Sequence, residues 1–457
     1  MTSCNGNNRS GAATTAVQQL AQVACAVRGH AAAQQRAATH LLDWLACAAQ
    51  GSTAAVGLAM ARWLALQSPG PAPTLHGSLR DAAAAAAFHG ALGSALEMDD
   101  VHRSSVLHPA PVVIPAVLAA APADMPGAWL LGAIVSGYEV MIRVGRALGP
   151  AHYAHWHTTS TAGSFGAAAG VAAVLGLDAP TTAQALALAG TRAGGLWQVR
   201  HESSLGKAWH MAGAARDGLA AAQAAAVGVT GPLGVLDGPS GWFAVSAPQA
   251  DATLIAEARS TPWIDDVSFK PWPACRHAHP AMDALRALLA AAPVRPDQID
   301  RIEVHSYADA LRFCDRPHPQ DEAGARFSVQ HALAAWLLWG EAQLAHYQGP
   351  ALADATLRGL RQRIHLQACP QMQARYPSHY GARVLLHLHD GTQRQAELHD
   401  TFGDPARPMP EAARHAKARM LMGAAAWNQT RIAAALAACT ALPGARDLQA
   451  LHAVIRG

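Results

Sequence analysis

A mainly helical protein with a smaller α+β unit inserted toward the C-terminal half is predicted by three features of the sequence. Hydrophobic residues fill 51% of the 457 positions but aromatics only 5%. Alanine therefore supplies much of the apolar surface, which favours close-packed helices over a sheet sandwich. Apolar residues recur at helical spacing through most of the chain, as in Trp129, Leu130, Ile134, Tyr138, Met141 and Val144. After Ser260 the texture changes to short alternating runs broken by turn residues.

Taken in order, residues 14–245 read as a succession of helices punctuated by Gly, Pro and polar caps, among them 124–148 and an Ala-rich helix over 211–227. Residues 301–307 alternate like a half-buried strand. Residues 384–389 and 393–399 flank Asp390-Gly391, a strong hairpin signal. Helical stretches at 280–292 and 328–338 lie to either side of the first of these strands, and His387 and His389 fall on one strand face. Residues 410–455 return to Ala-rich helix, which is expected to dock on the first helical part. The expected organisation is a helical domain from 1–266, an α+β lid from 267–404 and a helical tail from 405–457.

Composition narrows the function. A formal charge of +3, spread without basic clusters, offers no footprint for nucleic acid. Residues 1–11 lack the basic-then-apolar layout of a signal peptide. Apolar runs such as 112–121 are broken by Pro115 and Pro122 and fall short of the ~20 residues of a membrane span. Seven cysteines without a C-x-x-C pair suit a reducing cytosol better than a disulfide framework. A cytoplasmic protein acting on a small molecule is expected. No P-loop, G-x-G-x-x-G, G-x-S-x-G or H-E-x-x-H motif occurs, so nucleotide, flavin and serine-hydrolase readings lack support.

Only three of the 34 Lys and Arg residues are lysine: Lys207, Lys270 and Lys417. A lysine retained in an arginine-rich chain is a candidate for tasks that suit a compact, titratable ammonium. Lys207 precedes the Ala-rich helix, where a cation opposes the helix dipole, so a structural reason for it is weak. Lys270 lies in a proline-stiffened segment, Lys270-Pro271-Trp272-Pro273-Ala274-Cys275. Lys417 reads as part of a solvated helix face and is left out of the chemistry.

Three further constellations stand out. Glu97-Met98-Asp99-Asp100-Val101-His102, followed by His108-Pro109, concentrates carboxylates and imidazoles at one helix exit; the alternative is a solvated helix end. His157 precedes the hydroxyl run Thr158-Thr159-Ser160-Thr161 and a smooth Ala/Gly helix, whose free N–H groups could cradle a carboxylate or simply be capped. Cys275, His277 and His279 resemble zinc ligands in type, but no second ligand pair stands at a matching spacing.

Together these segments resemble the MmgE/PrpD family, which includes 2-methylcitrate dehydratase, cis-aconitate decarboxylase and iminodisuccinate epimerase. The resemblance runs from about residue 14 to about residue 420. Residues 89–102 look like the family's A-L-D-F-D-D-T-H element, and His108-Pro109 like its H-P. Residues 157–166 are similar to H-P-T-x-T-x-G-x-F-G, and Lys207 with His210 to K-x-L-H. Residues 270–275 match K-P-Y-P-x-C, and Gly403-Asp404-Pro405 is like its G-D-P.

The resemblance implies a large helical domain with an α+β lid, a homodimer, and use of neither metal nor nucleotide. It also implies active-site positions at His108, His157, Lys207 and Lys270, with the acidic position at Glu97. Departures are visible: Glu97 for aspartate, Val101 for threonine, Phe313 for tyrosine, and Cys275 where the cis-aconitate decarboxylases tend to carry histidine.

The chemistry these residues permit is removal of a proton next to a carboxylate. His108 or His157 would act as base, lysines and a helix start would supply positive field, and a second histidine, Glu97 or Cys275 would be the acid. The expectation is a cofactor-free lyase of dehydratase type on a small di- or tricarboxylic acid such as a 2-methylcitrate-like hydroxy acid. Epimerisation or decarboxylation at the same site is the alternative among enzymes; a non-catalytic carboxylate-binding protein is the alternative of another class.

Overall fold

The computed structural model describes residues 14–202 and 204–457. The signal-peptide reading of residues 1–11 lies outside the described residues. Helix dominates, and strands are few and short.

The larger core is built from helices that touch through small residues. Helix Thr158–Val174 is buried over its whole length and packs between helices Gly127–Tyr153, Gly206–Ala226 and Ala110–Ala120. Glycines on it and on helix Gly206–Ala226 permit this. A Cβ on Gly166 would lie 2.6 Å from Met141 Cβ and 2.9 Å from the Gly137 carbonyl oxygen, and a Cβ on Gly218 would lie 2.5 Å from Ala167 Cβ. The tail helices Glu411–Ala424 and Gln429–Ala441 pack on helix Ala31–Gly51 and share this core.

Helix Gly127–Tyr153 starts later and runs further than its periodicity suggests, because Pro126 caps its start and the chain re-enters helix after a kink at Gly149-Pro150. By length and composition it could cross a membrane, contrary to the expectation that no apolar run is long enough. Yet 89% of its apolar window is buried inside the protein.

A second core surrounds a four-stranded sheet in the order Ile364–Ala368, Ile299–Ser306, Ala382–Leu388, Gln393–Leu398. The first pair is parallel and the others antiparallel. Helix His279–Ala291 covers the face on which Ile302, Val304, Val384 and Leu386 are buried. The Asp390-Gly391 hairpin forms as a three-residue loop, His389-Asp390-Gly391. Gly391 N–H donates to the Leu388 carbonyl at 3.0 Å and Gly391 takes φ +85°. His387 and His389 therefore part company: His387 is buried beside Glu303 at 3.1 Å, and His389 is exposed in the turn.

One strand pair escapes the sequence reading and matters most for the site. Val101-His102 pairs antiparallel with Val267-Ser268, joining the acidic helix exit to the segment that carries Lys270.

Candidate active site

The acidic segment leaves helix Ala82–Gly93 in a turn whose consecutive carboxylates diverge. Asp100 faces the core. Its Oδ1 accepts from Ala110 N–H at 3.0 Å, at the start of helix Ala110–Ala120, and its Oδ2 accepts from the Tyr138 hydroxyl at 2.8 Å. His40 Nδ1 lies 2.8 Å from the same Oδ2. Asp99 and Glu97 turn the other way. Glu97 holds φ +55°, a left-handed conformation that costs a non-glycine residue roughly 1–3 kcal/mol and persists only where surroundings enforce it.

The enforcing contacts are ionic. Lys207 Nζ meets Glu97 Oε1, while Lys270 Nζ lies 3.5 Å from Glu97 Oε2 and 3.2 Å from Asp99 Oδ1. Burial alone would raise the pKa of both carboxylates. The ammonium charges of Lys207 and Lys270 outweigh it for Glu97, and the charge of Lys270 with a hydrogen bond from His108 outweighs it for Asp99, so both are held below the usual carboxylate range. Burial likewise opposes the charge on Lys270, but Asp99 and Glu97 hold its pKa above the ordinary value. The solvated-end alternative for residues 97–102 is overturned: Glu97, Asp99, Asp100 and His102 are all buried.

Lys270 is positioned from the Gly403-Asp404 turn. Phe269 N–H donates to the Gly403 carbonyl at 3.0 Å, and a Cβ on Gly403 (φ +96°) would lie 2.1 Å from the Phe269 oxygen, so no side chain fits there. Asp404 Oδ1 accepts from the Ser268 hydroxyl at 2.7 Å and from Arg276 at 2.6 Å.

His108 has its orientation and tautomer set by its neighbours. Its backbone N–H donates to Thr159 Oγ1 at 3.1 Å. Its Nδ1 lies 2.7 Å from the Asp100 carbonyl oxygen, which can only accept, so Nδ1 carries the proton and Nε2 presents a lone pair. Asp99 Oδ2, 3.0 Å from Nδ1, would stabilise the ring once protonated.

His157 caps helix Thr158–Val174, with its N–H held by the Gly195 carbonyl at 2.8 Å. The ring packs on Trp197 with centroids 4.3 Å apart, Nδ1 is 3.3 Å from His210 Nδ1, and the buried Nε2 has no partner among the described residues. Burial first, then the charges of His210 and Lys207, push its pKa well down, so the ring is neutral.

A cavity of about 590 Å³ opens over these groups. Glu97, His108, His157, Lys207 and Cys275 line it. Lys270 does not: its side chain is wholly buried behind Glu97 and Asp99, a correction to its expected place among substrate-facing groups. Cys275 is buried; a hydrogen bond from Cys314 lowers its pKa. His277 and His279 diverge. The first bonds the Tyr307 hydroxyl at 2.8 Å and is stacked between Phe313 and Tyr380, and the second bonds the Ala274 carbonyl at 3.0 Å and Arg276 at 3.0 Å.

Sequence reasoning missed several neighbours. Asp99 stands in an acidic run where nothing in the spacing marks which carboxylate turns inward. Arg200, Trp197 and Tyr380 also line the cavity, from segments that carry no motif, as does Arg316, three residues after Phe313. Lys417 is the clearest correction. It is buried, 2.7 Å from Asp43 and 2.6 Å from the Met98 carbonyl, not on a solvated face.

Comparison with known proteins agrees in extent with this architecture. The family model for the MmgE/PrpD N-terminal domain matches residues 18–255, and that for the MmgE/PrpD C-terminal domain matches residues 272–441. A cis-aconitate decarboxylase-like protein of Aspergillus oryzae is 28% identical over 386 residues, 78% of this chain and 80% of its own length. Human cis-aconitate decarboxylase is 28% identical over 398 residues, 82% and 81% of the two chains. The cis-aconitate decarboxylase of Aspergillus terreus is 24% identical over 339 residues, 68% and 69%. Because the first of these family matches alone spans more than half of the chain, and the two together take in most of both cores with Glu97, Asp99, His108, His157 and Lys207, the chain belongs to the MmgE/PrpD family.

Proposed function

We propose that the protein is a cofactor-free lyase that works through a carbanion next to a carboxylate of a small di- or tricarboxylic acid. The observation that carries this reading is His108: an imidazole with Nδ1 spent on a backbone carbonyl, backed by Asp99, on the wall of a cavity that also holds Lys207. That is the arrangement of a general base beside a fixed cation.

In the leading form, His108 Nε2 takes the proton from the carbon adjacent to a carboxylate. The electron pair spreads into that carboxylate under the field of Lys207 and the helix start at Thr158. Hydroxide then leaves the neighbouring carbon with a proton from an acid, giving an alkene and water. Glu97 is held ionised and His157 neutral, so both make poor acids and the donor is Cys275. The second reading is decarboxylation at the same site. It is favoured by the names of the similar proteins from Aspergillus and human, and disfavoured by Cys275 and Phe313 at positions where that resemblance would place histidine and tyrosine.

The test is incubation of the purified protein with a panel of hydroxy-di- and tricarboxylates and cis-aconitate in D₂O, followed by NMR. Loss of water, loss of CO₂ and solvent exchange give different products. Absence of all three across the panel would leave only a carboxylate-binding role.

A further inference from the structure

The charge balance of the cavity leads away from the lysines. Lys207 and Lys270 bring two positive charges to a corner where Glu97 and Asp99 bring two negative ones, so that corner is neutral before a ligand arrives. A substrate with several carboxylates needs positive charge elsewhere. Of the guanidiniums on the cavity wall, Arg276 is committed to Asp404 at 2.6 Å and Arg326 lies 3.4 Å from Glu322.

Arg200 and Arg316 differ. Neither has a carboxylate within ion-pair distance among the described residues. Arg200 is half-buried with its guanidinium 5.3 Å from the ring centroids of both Trp197 and Phe313. Its Nη2 donates to the Ala154 carbonyl at 2.6 Å, and its buried Nη1 has no partner. Arg316 lies beside it, with Nη2 3.5 Å from the Arg200 carbonyl oxygen. Burial, then the nearby charge of Arg312, lower the pKa of Arg200, so an anion there would relieve an existing cost.

We propose that Arg200 and Arg316 form a distal carboxylate subsite, which makes the substrate an acid with at least one carboxylate remote from the reacting carbon. The Arg200 guanidinium, fixed by the Ala154 carbonyl on Nη2, keeps Nη1 without a partner among the described residues as a donor to a carboxylate oxygen. This inference rests on the carboxylic-acid lyase reading and adds to it the two side chains that hold the carboxylate remote from the reacting carbon.

The experiment is calorimetric titration of the full chain with propane-1,2,3-tricarboxylate, a non-reacting probe, using wild type, R200M, R200K and R316M. Thermal melting checks that each variant is folded. Tricarboxylate affinity should fall roughly ten- to a hundredfold in R200M and in R316M, the loss expected of a hydrogen bond to a charged group, with R200K recovering little of it. For any panel acid that is turned over, KM should rise by a similar factor while kcat changes far less. R200M and R316M binding the probe as tightly as wild type, or a wild type that does not bind it, overturns the subsite. Probe binding that depends on Arg200, with no panel acid turned over, supports the subsite and defeats the lyase reading alone.

Discussion

Lys417, on the tail helix Glu411–Ala424, donates to the carbonyl of Met98 at 2.6 Å, across more than three hundred residues of chain. Met98 stands between Glu97 and Asp99. The tail thus holds the backbone of the acidic turn, and Asp43, 2.7 Å from Lys417 Nζ, balances the charge. Burial, the first influence on Asp43, raises its pKa to about 6 despite Lys417.

Removing Lys417 should therefore destabilise the fold. Lys417→Met leaves Asp43 buried and unpaired and is expected to cost about 3–5 kcal/mol in chemical unfolding. Replacing both partners, with Lys417→Met and Asp43→Leu, should recover much of that loss. An unchanged unfolding midpoint in the single variant would refute the buried pair.

Lys207 and Lys270 should separate in their effects, although in sequence both look like free point charges. Lys270→Met strands buried Asp99 and should lower stability by about 3–5 kcal/mol as well as abolish turnover. The Lys207 side chain is 22% exposed, and Lys207→Met should cost about 1 kcal/mol or less while also abolishing turnover. Paired unfolding and activity measurements check this; equal stability losses would contradict the placement of Lys270.

Replacing His108 with asparagine tests the base. The amide nitrogen of Asn can keep the bond to the Asp100 carbonyl while removing the basic Nε2. His108→Asn is expected to lower kcat by ~10²–10⁴-fold, with stability changed by no more than about 1 kcal/mol. Retention of full activity would shift the base to His157.

Stability should decline as pH falls below neutrality. Burial pushes His40 and His277 down to about 4, so in the folded state they stay neutral after the unfolded chain, with histidine pKa near ~6.5, has begun to bind protons. Their contribution is fully present above ~6.5 and is lost as pH drops toward about 4. Glu97 and Asp99, held low by their lysines, add stability that is present above ~4 and disappears in stronger acid. Urea midpoints from pH 7 to 4.5 should fall steadily, and less steeply in His277→Phe. A flat profile would contradict the neutral buried imidazoles.

Much of this was legible along the chain. Alanine content and helical spacing indicated the helices, alternation marked strand Ile299–Ser306, and Asp390-Gly391 marked the hairpin, although the loop is one residue longer than a two-residue turn. The motif residues His108, His157, Lys207, Glu97 and Cys275 come together on one cavity wall. These signals are local: a period or a turn is set by neighbours within a few positions, and a family motif preserves residue types at fixed spacing.

Which charge meets which is settled by packing. Nothing near Lys417 in sequence distinguishes it from a solvated lysine, because Asp43 and Met98 arrive from distant helices. The two-residue ladder between Val101-His102 and Val267-Ser268 is too short to leave a periodic trace, yet it brings Lys270 to Asp99 and neutralises the lysines. Electrostatic partnership depends on distance and burial together, and neither is a property of spacing along the chain. Local pattern was enough for the helices, the hairpin and the set of candidate side chains; packing set Lys270 behind Glu97 and Asp99, Lys417 against the Met98 carbonyl, and Arg200 and Arg316 on the cavity wall.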